Sequence, residues 1–120
     1  MDSEVYISFL KKKLLCFRDD RNWSQFHKPK DLAMAVSIEA NELLERFLWK
    51  SEEEISAELQ DPEKRQKIVE ELADVFITAI NFANATDIDI SSAVSEKIEK
   101  NAAKYPVEKA SGTAKKYDEL

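Results

Sequence analysis

Apolar residues recur at helical spacing through most of the chain, and this pattern predicts four main helices. The first covers about residues 3–20, the second runs from about Asp31 to Trp49, the third ends at about Ala85 and the fourth ends at about Tyr105. Between the second and the third, "SEEE" matches a capping box and opens a short helix. One glycine and three prolines leave little material for hairpins, so we expect an all-α protein.

Helix-start signals and composition together indicate how the chain is organised. The dipeptide "DP" at 61–62 supplies an N-cap and a first-turn proline for the third long helix, and Asp87 or Asp89 caps the fourth. No repeat and no shift in composition marks a second domain. We therefore expect an all-α domain over residues 1–105, a four-helix bundle-like protomer, and an irregular, mobile C-terminal tail over residues 106–120.

The second helix carries acidic residues on the side that its apolar stripe turns toward a core. At about 100° per residue this stripe falls within an arc of roughly 60°. The stripe consists of Leu32, Val36, Leu43 and Phe47. Glu39 falls inside the arc and Glu42 lies at its edge, whereas Glu45 points to the opposite side. Glu39 and Glu42 are therefore predicted to turn inward, and Glu45 to be solvated.

The third long helix repeats this arrangement. Its apolar stripe contains Ile68, Leu72, Val75, Ala79 and Phe82. In "VEELADV", Glu71 flanks the stripe and Asp74 lies one turn on at the same edge, while Glu70 faces away. Each of the two helices thus presents an acidic pair at i, i+3, and side chains at that spacing are neighbours on one helix face.

Four carboxylates that converge from two antiparallel helices would repel each other unless a divalent cation lay between them. Oxygen-only ligation suits a hard ion, so Glu39, Glu42, Glu71 and Asp74 predict a Mg²⁺ site, with Mn²⁺ as the other candidate. The simpler interpretation is that Glu39 pairs with a lysine or lies at an exposed interface. A di-iron centre needs Glu-x-x-His on two helices, and His27 is the one histidine of the chain.

The fourth helix places cationic and amide groups on its apolar arc. The arc holds Ile90, Ala93, Val94 and Tyr105. Lys97, Asn101 and Lys104 share it, as a polyphosphate opposite a metal would require. The alternative is that these lysines lie along apolar surface or pair with the acids themselves.

Three ring side chains lie in or beside the segments that border the second helix, namely Trp23, His27 and Trp49. An aromatic ring can stack on a nucleobase. A tryptophan at a helix end can equally be a core or interface residue. Spacing alone leaves both interpretations open.

The charge balance and the lack of long apolar runs bear on the class of partner. Lys and Arg total 18 and Asp and Glu total 24, and this net charge of -6 argues against a nucleic-acid binder. Cys16 is the one cysteine, so no internal disulfide forms. No stretch approaches the roughly 18 apolar residues of a membrane span, and the start of the chain has no apolar signal core. We expect a cytoplasmic protein that binds neither nucleic acid nor membrane.

These segments together resemble a known family. "EANE" followed by "EELADV" fits the Glu-x-x-Glu … Glu-x-x-Asp motif of the MazG-like all-α nucleotide pyrophosphohydrolases. "RNWSQFHKPKDL", "FLWK", "KIEKNAAKYP" and "KKYDEL" look like the single-domain dCTP pyrophosphatase branch, and the resemblance covers nearly the whole chain. Thr78 stands where that branch looks to carry a tyrosine, so its base preference is not transferred.

The resemblance implies hydrolysis of a (deoxy)nucleoside triphosphate to a monophosphate and pyrophosphate, which would serve to clean the nucleotide pool. The four acids named above would be catalytic residues that hold Mg²⁺ and activate a water. The remaining site residues would bind substrate: Lys97, Asn101, Lys104 and Tyr105 at phosphate or sugar, and Trp23, His27 and Trp49 around the base. The resemblance also implies a homo-oligomer, with a tetramer built from two dimers favoured over a dimer.

Two other functions are compatible with the sequence. One is a phosphoribosyl-nucleotide pyrophosphohydrolase, which shares this all-α architecture and would act weakly on the triphosphates of every base. The other is a non-catalytic helical oligomerisation or binding module, whose acids would meet a basic partner surface and show no dependence on Mg²⁺. The tryptophans and the match around "KNAAKYP" favour the triphosphate.

Overall fold

The computed structural model describes residues 1–120 and contains six α-helices and no strand. The helices are α1 (Ile7–Asp20), α2 (Pro29–Glu45), α3 (Glu52–Gln60), α4 (Pro62–Thr86), α5 (Ile90–Lys104) and α6 (Val107–Ala110), and 3₁₀ segments span Ser24–Phe26 and Tyr117–Glu119. The all-α class predicted from the sequence is confirmed. No helix combines the length and the apolar character needed to cross a membrane.

Side-chain caps set the starts of α3 and α4. The Ser51 hydroxyl accepts a hydrogen bond from the backbone N–H of Glu54 at 3.1 Å and donates to the Glu54 carboxylate at 3.3 Å. The helix start predicted here, with Ser51 as N-cap and Glu54 as its partner, is therefore confirmed, although Glu54 pairs with the Ser51 hydroxyl. The Asp61 carboxylate accepts hydrogen bonds from the N–H groups of Glu63 and Lys64 at 3.0 and 3.3 Å, so the first turn of α4 leaves fewer unpaired donors.

Some helix boundaries differ from the prediction. α1 begins at Ile7 rather than near residue 3. α2 ends at Glu45 rather than Trp49, and Trp49 itself has a left-handed backbone with φ 61°, which a right-handed helix cannot contain. Of the two candidate caps for α5, Asp89 accepts the capping hydrogen bond, whereas Asp87 ends α4 with φ 54°.

The chain divides into two compact units, Met1–Asp87 and Ile88–Leu120. In the first unit α4 contacts α1, α2 and α3, and its contact with α2 is the most extensive. The α2 and α4 helices run antiparallel, since Val36 lines a cavity with Phe82 while Glu42, further along α2, lies beside Glu71. In the second unit, the segment predicted to be an irregular tail contains α6 and the second 3₁₀ segment.

The core of the first unit is small. Its buried apolar residues are Leu32 from α2 and Ile80 and Ala83 from α4. The predicted stripe of α2 is correct, with Leu32 buried and the rest half-buried. The predicted stripe of α4 is partly wrong, because Leu72 and Ala79 are exposed and the two buried residues lie outside it. Since α4 contacts three helices, a single helical stripe does not describe its buried surface.

The apolar arc predicted for α5 does not form a buried face in the single chain. Ile90 is half-buried, and every later residue of α5 is exposed, Val94 included. Lys97 and Lys104, predicted to share that arc, are therefore exposed in the single chain, although they do share one face of the helix.

Candidate metal and active site

Three glutamates from two helices meet where α2 packs on α4. Carboxylate oxygens of Glu39, Glu42 and Glu71 all lie within 4.8 Å of one another. Glu39 and Glu42 are one turn apart on α2, and the antiparallel packing brings Glu71 of α4 to them. Such a cluster of oxygen donors is typical of sites for hard divalent cations.

Two of these carboxylates have an oxygen without any partner. Oε2 of Glu39 and Oε2 of Glu71 are buried and make no hydrogen bond. A buried polar atom without a partner costs free energy, so native proteins rarely leave one unexplained. A cation between the two helices would satisfy both oxygens at once, and the donor set therefore fits a hard divalent ion.

Neighbouring negative charges perturb the acids. Burial raises the pKa of Glu39, and hydrogen bonding to Glu42 together with the charges of Glu42, Asp74 and Glu71 raises it further. Burial also raises the pKa of Glu71, followed by the charge of Glu42. Both shifts mean that the charged carboxylates of Glu39 and Glu71 are disfavoured without a metal. A divalent cation would favour the charged carboxylates instead.

Asp74 lies at the edge of the cluster. It is not among the three residues whose oxygens approach within 4.8 Å, yet its charge contributes to the raised pKa of both Glu39 and Glu71. Its side chain is half-buried, and Glu45 and Glu70 are exposed, in agreement with helical phase. The structure thus brings together three of the four predicted acids and places the fourth beside them.

A cation that the sequence patterns did not single out acts on these acids. Arg46, the C-cap of α2, is half-buried, and its positive charge acts to lower the pKa of Glu71. Its position four residues after Glu42 is the signal that could have identified it, because i, i+4 side chains share a helix face.

Close by in sequence, Nζ of Lys50 donates to both carboxylate oxygens of Glu58 at 2.7 and 2.8 Å, which ties the segment after α2 to α3.

Trp23 and His27, the two predicted ring residues between α1 and α2, lie in different surroundings. Trp23 packs edge-on against Phe17 with ring centroids 5.9 Å apart, and the Arg21 guanidinium lies 3.6 Å from the centroid of the Phe17 ring. Trp23 keeps 44% of its surface exposed, so part of the residue is accessible to a ligand. His27 is half-buried, and burial together with the charge of Arg18 lowers its pKa.

Trp49 is not a core residue. It follows α2 with φ 61° and is 98% exposed. A residue with a bulky side chain rarely adopts positive φ, and such conformations often occur where a side chain must be presented in one direction. The ring is available to a ligand or to a second subunit, which are the two interpretations left from the sequence.

The predicted phosphate-binding residues belong to the second unit. Lys97, Asn101, Lys104 and Tyr105 are all exposed on α5 and at its end. The Lys104 ammonium lies 4.9 Å from the centroid of the Tyr117 ring. Their role toward a substrate stays a prediction.

The structure is all-helical, and its carboxylate cluster lies between two antiparallel helices, an arrangement that could hold a divalent metal. A family model described as MazG-like matches residues 34–120. The chain belongs to the MazG-like family. The matched range contains the four predicted acids and the whole C-terminal segment, whereas Trp23 and His27 precede it.

Named relatives and a solved structure agree with this assignment. The chain is 38% identical to dCTP pyrophosphatase 1 of Rattus norvegicus and 36% identical to dCTP pyrophosphatase 1 of Homo sapiens, each over 104 residues and 87% of this chain. It spans 61% of the length of these curated relatives. A pyrophosphatase from Archaeoglobus fulgidus is similar in structure, with a TM-score of 0.78 and 38% identity over 86% of this chain and 94% of that one.

Proposed function

We propose that this chain is a Mg²⁺-dependent pyrophosphohydrolase of (deoxy)nucleoside triphosphates that releases a monophosphate and pyrophosphate. The observation that carries the proposal is the pair of buried, unpartnered oxygens on Glu39 and Glu71, within a cluster of carboxylates no more than 4.8 Å apart. Protein side chains leave these atoms unsatisfied, whereas a divalent ion held by these carboxylates would satisfy them.

Each part of the chain would contribute a defined piece of the chemistry. A Mg²⁺ ion held by Glu39, Glu42, Glu71 and Asp74 would neutralise phosphate charge and lower the pKa of a bound water, and Mn²⁺ could take its place. Lysine side chains supply positive charge for phosphate oxygens and for the departing pyrophosphate. We assign that role to Lys97 and Lys104, with Asn101 and Tyr105 beside them.

The names of the relatives support a nucleotide substrate and favour a deoxyribonucleotide, because several are called dCTP pyrophosphatase 1. The base preference is a separate matter. Thr78 turns its hydroxyl back to the helix, donating to the carbonyl oxygens of Asp74 and Val75 at 3.1 and 3.0 Å. Its one proton is therefore already used within the helix, and because threonine is smaller than tyrosine we expect a pocket wider than one with a tyrosine there.

We also propose that the working form is a homo-oligomer, a tetramer in preference to a dimer. Apolar side chains line a cavity of about 310 Å³ on α1 and α4, among them Leu10, Phe76 and Ile77. Phe76 is 61% exposed, and large contiguous apolar patches are unusual on a soluble monomer. A second copy of the chain covering this surface would remove it from water. A cytoplasmic location and the domain limits given above stay predictions.

A substrate panel tests the function. Ribo- and deoxyribonucleoside triphosphates are incubated with and without Mg²⁺, and the products are separated by chromatography. Monophosphate and pyrophosphate formed only with metal would support the proposal. Nucleoside diphosphate with free phosphate would indicate hydrolysis of the other phosphoanhydride bond and would overturn the proposal. If no triphosphate is hydrolysed, a phosphoribosyl-nucleotide substrate or a non-catalytic module becomes the better hypothesis.

Matched glutamate variants test the site. Glu39→Gln and Glu71→Gln each remove a proposed metal ligand, and we expect turnover to fall by about a thousandfold or more, since a metal-assisted step worth several kcal/mol is lost. Glu45→Gln and Glu70→Gln remove exposed acids from the same two helices and should stay within about twofold of the wild type. Near-normal turnover by either of the first two variants would refute the site.

A further inference from the structure

The C-terminal 3₁₀ segment places one aromatic ring against the end of α5. The Tyr117 ring meets the Tyr105 ring edge to face, with centroids 6.3 Å apart and an interplanar angle of 87°. The Lys104 ammonium lies 4.9 Å from the centroid of the same Tyr117 ring. One side chain from near the end of the chain thus contacts two adjacent residues that are proposed to bind substrate.

A tight reversal brings Tyr117 back to α5. After α6 the backbone N–H of Ser111 donates to Val107 at 3.1 Å, and the N–H of Thr113 donates to Ala110 at 3.3 Å. Gly112, between them, has φ 76°, a conformation that glycine adopts without steric cost. The contact between Tyr117 and Lys104 therefore depends on a turn that this sequence is built to form.

The contact orients the lysine without using up its charge. Lys104 is not part of any ion pair in the chain, so no carboxylate neutralises it. A cation held over an aromatic face is attracted to the ring while its N–H groups remain free to donate to other acceptors. An unrestrained lysine loses much conformational entropy when a phosphate orders it, and prior ordering by a neighbour reduces that loss.

We propose that Tyr117 is a positioning residue for substrate phosphate, holding Lys104 and Tyr105 in the orientation in which they bind it. The proposal rests on the proposed function, in which these two residues contact the nucleotide. It gives the C-terminal segment, which the sequence suggested was an irregular tail, a specific part in substrate binding.

The first test compares variants of Tyr117 in the full chain with Mg²⁺ present. Tyr117→Leu removes the ring, and we expect KM for the triphosphate to rise about three- to tenfold, the cost of ordering one lysine side chain on binding. The kcat should stay within about twofold, because Tyr117 does not touch the reacting atoms. Tyr117→Phe keeps the ring and should keep the wild-type KM. Tyr6→Leu, at an exposed tyrosine far along the sequence, is the control.

A double-mutant cycle separates positioning from a general structural effect. Lys104→Met removes the ammonium and retains an apolar stem. If Tyr117 acts through Lys104, adding Tyr117→Leu to Lys104→Met should raise KM by less than the same change does in the wild type. An equal factor in both backgrounds would overturn the proposal, as would an unchanged KM in Tyr117→Leu.

A second variant guards against a folding defect in Tyr117→Leu. A Cβ at Gly112 would meet no atom within 4 Å, so Gly112→Ala strains only the backbone of the turn. Gly112→Ala should also raise KM, by a smaller factor than Tyr117→Leu does. If the wild type turns over in a Glu39-dependent way and neither Tyr117→Leu nor Gly112→Ala changes KM, the positioning role alone is overturned. If the wild type shows no turnover, the proposed function is overturned.

Discussion

Replacing Glu39 with glutamine should make this protein more stable than the wild type without Mg²⁺ and less stable than the wild type with Mg²⁺. Without metal, the pKa of Glu39 is raised above its ordinary value of 4.5, chiefly by burial. The folded state then binds the proton more tightly than the unfolded state, so the charged carboxylate costs stability as the pH rises above 4.5 and through the raised pKa. At pH 7.5, above the ordinary value of 4.5, the charged form carries that cost, and glutamine removes it.

With metal, the order of stability should invert. A free Mg²⁺ concentration of ten to a hundred times the Kd stabilises the folded state by about 1.4–2.7 kcal/mol. A domain of this size shifts its Tm by roughly 3–6 °C per kcal/mol, so the wild-type Tm should rise by about 4–16 °C. Glu39 supplies one of the two unpartnered oxygens of the cluster. A hundredfold weaker affinity in the variant would reduce the stabilisation at the higher concentration to about 0.4 kcal/mol.

Thermal melts at pH 7.5 in EDTA and in Mg²⁺ measure the stability difference between variant and wild type without and with metal. We expect Glu39→Gln to melt above the wild type in EDTA and below it in saturating Mg²⁺. Glu45→Gln, on the exposed side of the same helix, should follow the wild type in both buffers. An equal Mg²⁺-dependent rise in Tm for Glu39→Gln and the wild type would falsify the assignment of Glu39 as a ligand.

Other predictions follow from particular contacts. Leu32→Ala should lower the free energy of unfolding by about 2–5 kcal/mol in urea denaturation, since Leu32 is among the few buried apolar residues, and a loss below 1 kcal/mol would contradict that view of the core. Hydrogen bonding to Lys50 lowers the pKa of Glu58, so the stability from this pair is present above pH 4.5 and lost as the pH falls through the lowered value. The Tm difference between the wild type and Glu58→Gln should therefore be present at pH 7 and shrink below pH 4.5. Phe76→Glu should shift sedimentation velocity toward a smaller species, because it places a charge on the exposed apolar surface proposed as the subunit interface, and an unchanged sedimentation coefficient would argue against that interface.

Helical phase predicted the relative orientation of the acids from the sequence. It distinguished the half-buried Glu39 and Glu71 from the exposed Glu45 and Glu70, and the structure agrees for all four. The prediction succeeded because neighbours along one helix have fixed angular relations, whatever the rest of the fold does. The N-cap at Ser51 was predictable for a similar reason, since it involves residues only three positions apart.

Features that depend on distant parts of the chain were not predictable in this way. The end of α2 at Glu45, before Trp49, is not signalled by any local apolar pattern. The packing of Tyr117 against Lys104 depends on a reversal through α6, in a segment whose composition suggested an irregular tail. The buried face of α4 was partly misassigned, because three helices contact it and periodicity alone defines one stripe.

The sequence by itself determined the five longer helices, the side-chain caps at Ser51 and Asp61 and which acids turn away from solvent, because these properties arise from contacts within about one turn of a helix. Only the tertiary structure decided that Glu71 of α4 meets Glu39 and Glu42 of α2, and that two of their oxygens are buried without partners. Bringing like charges together is unfavourable locally, so it requires the packing of the two helices to hold them there. The candidate metal site is therefore a property of the α2–α4 interface, and the sequence motif marks only its two halves.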